Sequence, residues 1–177
     1  GEEVSYYKQL FQTIESVIAQ IQNNDMPTYL RFLEDVFPYM ENYRYYQGME
    51  LVINKLSDLL KNKAVGSIAD RALLLSYQAA YEKKPDKAIK MQKDAIAMIS
   101  EMTSETALFL SNLYANLGGM YKYNSDTGLD YASVQEAMGG ICLTMGEIQQ
   151  ATSHFQKVME VYEKVFEFEP DMIEAKK

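Results

Sequence analysis

The chain has little of what reactive sites and several fold classes require. Its 177 residues contain one cysteine, one histidine and no tryptophan. A single cysteine excludes an intramolecular disulfide and is typical of a reducing, cytoplasmic compartment. A single histidine excludes a metal site built from several histidines. No apolar run approaches the roughly 20 residues of a membrane span. We therefore expect no membrane segment, no cofactor and no metal.

Proline, strand patterns and positive charge are also scarce. Four prolines leave long stretches without helix breakers, and the alternation of Val, Ile and Thr that marks strands hardly occurs. The net charge is −8, and residues 89–177 carry 7 basic and 13 acidic side chains. A phosphate-binding protein needs a basic face, and no window supplies one. The sequence predicts an all-α protein that does not contact nucleic acid directly.

Apolar residues at helical spacing divide the chain into about eight helices. Asp25 and Ser67 stand where helix N-caps are expected, and Gly146 and Pro170 where helices end. Short turns between helices favour antiparallel neighbours. The predicted helices cover residues 2–22, 26–43, 44–60, 67–81, 86–100, 103–123, 129–145 and 147–168.

These helices suggest three regions. Residues 1–24 form an N-terminal helix, which we expect to continue from an upstream region, because Gly1 resembles the remnant of a tag and no start methionine precedes it. Residues 169–177 form a tail that is expected to fray. The region between them, residues 25–168, is predicted as a repeat array with hairpins at about 26–61, 67–101 and 104–145 and a last helix at 147–168.

Pairs of small residues recur around the turns. Ser76 and Ala88 stand 12 residues apart around EKKPD, and Gly118 and Ala132 stand 14 apart around YNSDTG. Val36 and Gly48 form a looser pair around ENY, 12 residues apart. Small residues at equal distances from a turn let two helices approach closely. The first members lie 40 and 42 residues apart, so one unit recurs at a period of about 40.

Three stretches resemble tetratricopeptide repeats: PDKAIKMQKDAI (85–96), LYANLGGMYK (113–122) and MGGICLTMGEIQQATSHF (138–155). The chain departs from that family in having no tryptophan and a period longer than the usual ~34 residues. Longer repeats of this kind resemble those of bacterial regulators, both peptide-sensing transcription factors and signalling ATPases. The resemblance implies an α-solenoid of antiparallel hairpins.

The register of the last repeats is open. Gly118 and Gly139 both resemble the small residue of a first helix, yet they lie only 21 residues apart. Both assignments hold if Gly118 meets Ala132 and Gly139 meets Ala151, because each helix of a solenoid packs against the one before and the one after.

The resemblance also implies a ligand groove, since the first helices of such repeats line a concave face. By this register the inner face would carry Leu73, Ala115 and Gly119 beside polar and aromatic side chains. We predict a non-enzymatic module in a larger bacterial regulator, whose partner is a protein or peptide segment that favours one curvature of the array. The predicted ligand-binding residues are Asp70, Tyr77, Tyr81, Asn112, Lys122 and Tyr123.

Two alternatives remain open at this stage. The repeats could serve as a homodimerisation or spacer region beside an ATPase or DNA-binding domain, and tyrosine-rich turns such as MENYRYYQGM (40–49) would then be interface anchors rather than core residues. An enzyme using Cys142 is the third hypothesis. Cys142 and His154 flank the Gly146 turn at unequal distances, so they are poorly placed for a catalytic pair, and we predict no catalytic residues.

Overall fold

The chain folds into helices wherever apolar residues recur every three or four positions. A computed structural model describes residues 1–21, 26–124 and 128–166, with all their side chains except those of Val4, Met26, Tyr123 and Asn124. Within these ranges there are eight helices and no strand, so the predicted all-α class is confirmed. The helices are α1 (Glu2–Gln20), α2 (Met26–Asn42), α3 (Tyr46–Leu60), α4 (Ile68–Tyr81), α5 (Pro85–Ala97), α6 (Ala107–Asn124), α7 (Leu129–Thr144) and α8 (Ile148–Phe166).

Local chemistry explains where the helices begin. Ser67 caps α4 in a capping box, accepting from the Asp70 amide at 3.1 Å while the Asp70 carboxylate accepts from the Ser67 amide at 2.8 Å. The predicted cap is therefore confirmed. By contrast, α3 starts two residues later than predicted because Arg44 adopts a left-handed φ of 55°. α6 also starts late, because Thr103 and Thr106 close a separate turn by hydrogen bonds to each other's amides.

Some sequence predictions fall outside the described residues. The capping role of Asp25, the end of the last helix at Pro170 and the fraying of residues 169–177 belong to this group, as do residues 125–127 of the YNSDTG linker. These stay predictions.

The chain divides into two units, residues 1–83 and 84–177, and the division falls inside the predicted hairpin 67–101. In the first unit, α3 packs against α1, α2 and α4. Phe37 of α2 is fully buried and stacks on Tyr77 of α4, with ring centroids 3.7 Å apart. Arg71 of α4 donates to the carbonyls of Leu60 and Val65 and so holds the α3–α4 connection in place. The first unit therefore has one core shared by four helices.

The second unit is a run of antiparallel helices in which each packs on the next. Ile89, near the start of α5, packs against the cluster that contains Tyr121 at the end of α6, whereas Ile99, just beyond α5, packs against the cluster that contains Leu110 at the start of α6. α7 lies between α6 and α8 and is buried on both sides. Even so, within the described part of the chain no helix is both long and apolar enough to cross a membrane.

The glycines of α6 and α7 mark two close helix contacts. A Cβ added at Gly118 would lie 3.2 Å from Val134 of α7, and one added at Gly139 would lie 2.7 Å from the Phe155 ring of α8. The nearest neighbours of the added Cβ atoms are thus Val134 and Phe155, and the predicted contact residues Ala132 and Ala151 are buried on the same two helices, α7 and α8. Gly118 marks the contact of α6 with α7, and Gly139 marks the contact of α7 with α8. The two assignments do not conflict in register, because α7 has a neighbouring helix on each side.

The turn between α7 and α8 follows the predicted break. Gly146 has a φ of +75°, its amide bonds the Leu143 carbonyl, and the next amide, that of Glu147, bonds the Cys142 carbonyl at 2.8 Å. This pair of bonds is the Schellman ending of a helix, which favours glycine. Gly146 therefore ends α7, as predicted.

Candidate binding groove

A groove lies between α5 and α7, with α6 forming its floor. α5 and α7 run in the same direction because each is antiparallel to α6. The groove has two adjoining chambers that share the side chains of Ile96 and Tyr114. One chamber is uncharged and the other carries charge, so the two ends of the groove differ chemically.

The apolar chamber lies towards the ends of α5 and α7 and has a volume of about 480 Å³. None of the side chains around it is charged. An apolar group entering this chamber would leave water without losing a polar partner, which favours binding in proportion to the area buried. The residues around the chamber are Ile96, Ala97, Ile99, Ser100, Met102, Leu110, Tyr114, Ala137, Gly140 and Ile141.

The charged chamber lies at the other end and has a volume of about 270 Å³. The Lys93 ammonium lies over the Tyr121 ring, 5.5 Å from its centroid, which is within the range of a cation–π contact. The Tyr121 hydroxyl raises the pKa of Lys93 above its ordinary value, so this side chain stays charged. Asp130 and Ser133 of α7 complete the polar wall of the chamber.

Gly140 lines the apolar chamber and, having no side chain, leaves open space in the chamber wall. A Cβ added there would meet no atom within 4 Å, whereas one at the neighbouring Gly139 would meet a ring. Glycine inside a helix costs about 1 kcal/mol relative to alanine. At Gly139 a close helix contact offsets this cost. No contact offsets it at Gly140, and the space left by its missing side chain belongs to the groove.

The predicted groove residues of the second unit lie on another surface. Asn112 and Lys122 are exposed on α6, together with Gly119, on the side of the helix opposite Leu117 and Tyr121. They do not line the groove between α5 and α7. Tyr123 is in the last turn of α6, but its side chain lies outside the described residues.

The predicted residues of the first unit are on α4. The prediction that Tyr77 is exposed on the inner face is wrong. The residue is only 8% exposed, because its ring stacks on Phe37 and its hydroxyl donates to the Glu34 carbonyl. Tyr81 is half-buried, and burial, followed by Glu50, raises the pKa of its hydroxyl. A ligand-binding role for either residue stays a prediction.

Asp70 lines a separate cavity of about 540 Å³, formed by the start of α2 and the α3–α4 connection. Its carboxylate accepts a hydrogen bond from the Ser67 amide and so has a structural role in the cap of α4. Burial, then the nearby Asp70 charge, raises the pKa of Glu34 in the same cavity. A ligand-binding role for Asp70 also stays a prediction.

Cys142 and His154 do not hydrogen-bond to each other. Cys142 is buried, and burial followed by the Glu147 charge raises the pKa of its thiol, which disfavours the reactive thiolate. His154 instead pairs with the buried Gln135, with 2.7 Å between Nδ1 and Oε1. Burial, then Lys157, lowers the pKa of His154. In the described part of the chain, no three side chains of His, Cys, Asp or Glu are grouped as a metal ion would require.

The groove between α5 and α7 was not predicted from the sequence, because the predicted ligand-binding residues were placed only on the first helices of the hairpins, α4 and α6. The signal that could have located it is the contrast between the two adjacent glycines of MGGI (138–141), only one of which the α7–α8 contact needs.

Comparisons with known proteins do not assign the groove to a family. No protein-family model, no curated protein and no solved structure matches this chain.

Proposed function

We propose that this chain is a non-enzymatic module that binds a protein or peptide segment in the groove between α5 and α7. The observation that carries the proposal is the uncharged chamber with Gly140 in its wall. Ligand sites are typically concave and largely apolar, with a few polar groups that orient the ligand. The two chambers together have this character, and the resemblance to tetratricopeptide repeats points to the same class of partner.

Two glycine variants test the position of the binding surface. Gly140→Leu places a side chain in the apolar chamber, whereas Gly119→Leu places the same side chain on the exposed face of α6 that carries Asn112 and Lys122. Neither new Cβ meets an atom within 4 Å, so both variants should fold. A phage-displayed library of random peptides is selected in parallel on the unaltered chain and on each variant. We expect peptides enriched on the unaltered chain to bind Gly119→Leu equally well and to lose at least tenfold in affinity for Gly140→Leu.

The opposite outcomes are equally informative. Loss of binding to Gly119→Leu alone would place the site on the face predicted from the sequence. Enriched peptides that tolerate both substitutions, or an absence of enriched peptides, would contradict binding in this groove.

We further propose that the module is the sensor or scaffold region of a larger bacterial regulatory protein in the cytoplasm. The support is the resemblance of its repeats to those of peptide-sensing transcription factors and signalling ATPases. The complete open reading frame tests this proposal directly. An adjoining helix-turn-helix or P-loop domain is the expected result, and an adjoining catalytic domain of another class would contradict it.

Homodimerisation is the second candidate, and the aromatic residues of the first unit favour it. Tyr45 packs inward, stacked on Phe11 and bonded to Glu15, but Tyr46 and Tyr39 are 57% and 65% exposed. Exposed tyrosines are typical of interfaces. If this surface pairs two copies, light scattering should give twice the 20.3 kDa chain mass, and Tyr46→Glu should restore the monomer mass. A monomer mass for the unaltered chain would exclude this candidate.

A further inference from the structure

Helix α8 has apolar side chains on more of its surface than its contact with α7 requires. Ala151 and Val158 are buried, and Phe155 lies against Gly139 of α7. Beside this buried face, a second stripe of side chains runs along α8 at alternating steps of four and three residues, the spacing with which long helices pair with one another. The stripe consists of Ile148, Thr152, Phe155, Met159, Tyr162 and Phe166.

The stripe is accessible at both ends and in the middle. Ile148 is 62% exposed, Met159 is 45% exposed and Phe166 is 51% exposed. The Tyr162 ring meets the Phe166 ring edge to face, with centroids 5.8 Å apart. Apolar side chains concentrated along one line of a surface are typical of an interaction site. None of the six positions is charged, so the stripe suits a partner helix with an apolar face of its own.

The stripe is complementary to itself. Its steps of four, three, four, three and four residues are the same in both directions, so a second copy fits when it runs antiparallel with the two-fold axis beside residue 157. In that register Phe155 of one copy faces Met159 of the other, a favourable sulfur–aromatic pair. The small Thr152 faces the large Tyr162. A second copy of this chain therefore supplies the apolar face that the stripe requires.

Charge favours the antiparallel orientation. Successive residues of a helix are rotated by about 100°, which makes Glu163 the charged residue nearest to the stripe. Antiparallel pairing separates the two Glu163 residues by roughly 18 Å along the helix axis, a distance at which salt largely screens their repulsion. Parallel pairing would instead place them side by side.

From these features we infer that α8 pairs antiparallel with α8 of a second copy of this chain through this stripe. The inference does not depend on ligand binding in the groove between α5 and α7. It also places the interface in the second unit, whereas the exposed residues Tyr39 and Tyr46 belong to the first unit.

The size of the stripe determines the strength of the dimer. A complete aromatic side chain buries about 150–250 Å², so each half-exposed side chain of the stripe offers roughly 100 Å². With the adjoining polar residues, two copies would bury on the order of 1,000 Å², which is at the low end for specific interfaces. We therefore expect a weak dimer that forms reversibly as the concentration rises.

Sedimentation equilibrium of the full chain tests the pairing. The mass should rise from 20.3 kDa at micromolar concentration towards twice that value at millimolar concentration. Met159→Glu should weaken the dimer at least tenfold, because it places a carboxylate against the Phe155 ring of the other copy near the two-fold axis. Ile148→Glu, at one end of the stripe, should also weaken it. Both positions are exposed, so the midpoint of urea denaturation should not change.

Leu10→Glu and Tyr46→Glu are the matched controls. Leu10 is 52% exposed on α1 and Tyr46 is 57% exposed on α3, so each variant places the same charge on another exposed apolar position. Both should dimerise like the unaltered chain. A mass of 20.3 kDa at every concentration, a dimer that survives Met159→Glu, or a dimer lost only in a control variant would overturn the inference. None of these results would affect the proposed groove.

Cysteine crosslinking tests the orientation. Because position 152 of one copy faces position 162 of the other, a mixture of Thr152→Cys and Tyr162→Cys should form disulfide-linked heterodimers in a glutathione redox buffer. Neither variant alone should form a linked dimer, and the native Cys142 does not interfere because it is buried. Crosslinking of Thr152→Cys with itself would indicate parallel helices and would overturn the antiparallel register.

Discussion

Replacing Phe37 by alanine should lower the free energy of unfolding by about 3–5 kcal/mol, the usual cost of removing a fully buried aromatic ring. Phe37 is 0% exposed and stacks on Tyr77, so the substitution opens a cavity between α2 and α4 and leaves the Tyr77 ring without its partner. The measurement is urea denaturation followed by circular dichroism. The midpoint of the transition of the first unit should shift to lower urea.

Tyr39→Ala provides the control for this prediction. Tyr39 is on the same helix but is largely exposed, and surface substitutions usually change stability by no more than about 0.5 kcal/mol. If Phe37→Ala and Tyr39→Ala had similar effects, the packing of α2 against α4 described above would be wrong.

Leucine at position 139 and leucine at position 140 should have opposite effects on stability. At Gly139 the new side chain collides with the Phe155 ring, and overpacking of this kind costs about 1–3 kcal/mol. At Gly140 an added Cβ meets no atom within 4 Å, so the leucine enters the open chamber without a collision, and its higher helix propensity should add somewhat less than 1 kcal/mol of stability. The pair therefore separates a glycine required for packing from one that packing does not require.

Hydrogen exchange locates the expected damage. In Gly139→Leu the amides of α8 should lose protection, because α8 packs on α7 through this contact. In Gly140→Leu their protection should be unchanged. Equal stability of the two variants would contradict the close approach of α7 and α8 at Gly139. The result also supports the binding experiment, because it shows that Gly140→Leu leaves the fold intact.

The helices were predictable because their determinants are local. Apolar spacing, the Ser67 cap and the Gly146 break act within a few residues, and the structure confirms each of them. The start of α3 was predicted two residues too early, and the reason is again local. Arg44 adopts a left-handed backbone conformation, which an arginine in the sequence does not predict.

The environment of individual side chains was less predictable. Tyr77 follows the spacing of an exposed face, yet its ring is buried because Phe37, 40 residues earlier in the chain, stacks on it. Likewise, His154 pairs with Gln135 across the α7–α8 contact, a partner that the sequence did not indicate. Such contacts depend on the angle and register at which two helices meet, which one helix does not encode by itself.

The sequence by itself determined the all-α class, the number of helices and the positions of most turns, because each depends on interactions between near neighbours in the chain. Only the tertiary structure decided which side of α6 faces a groove and which of two adjacent glycines is needed for packing. Gly139 and Gly140 are chemically identical and consecutive in sequence. They differ because successive residues of a helix point about 100° apart, so that one meets Phe155 and the other faces the open chamber.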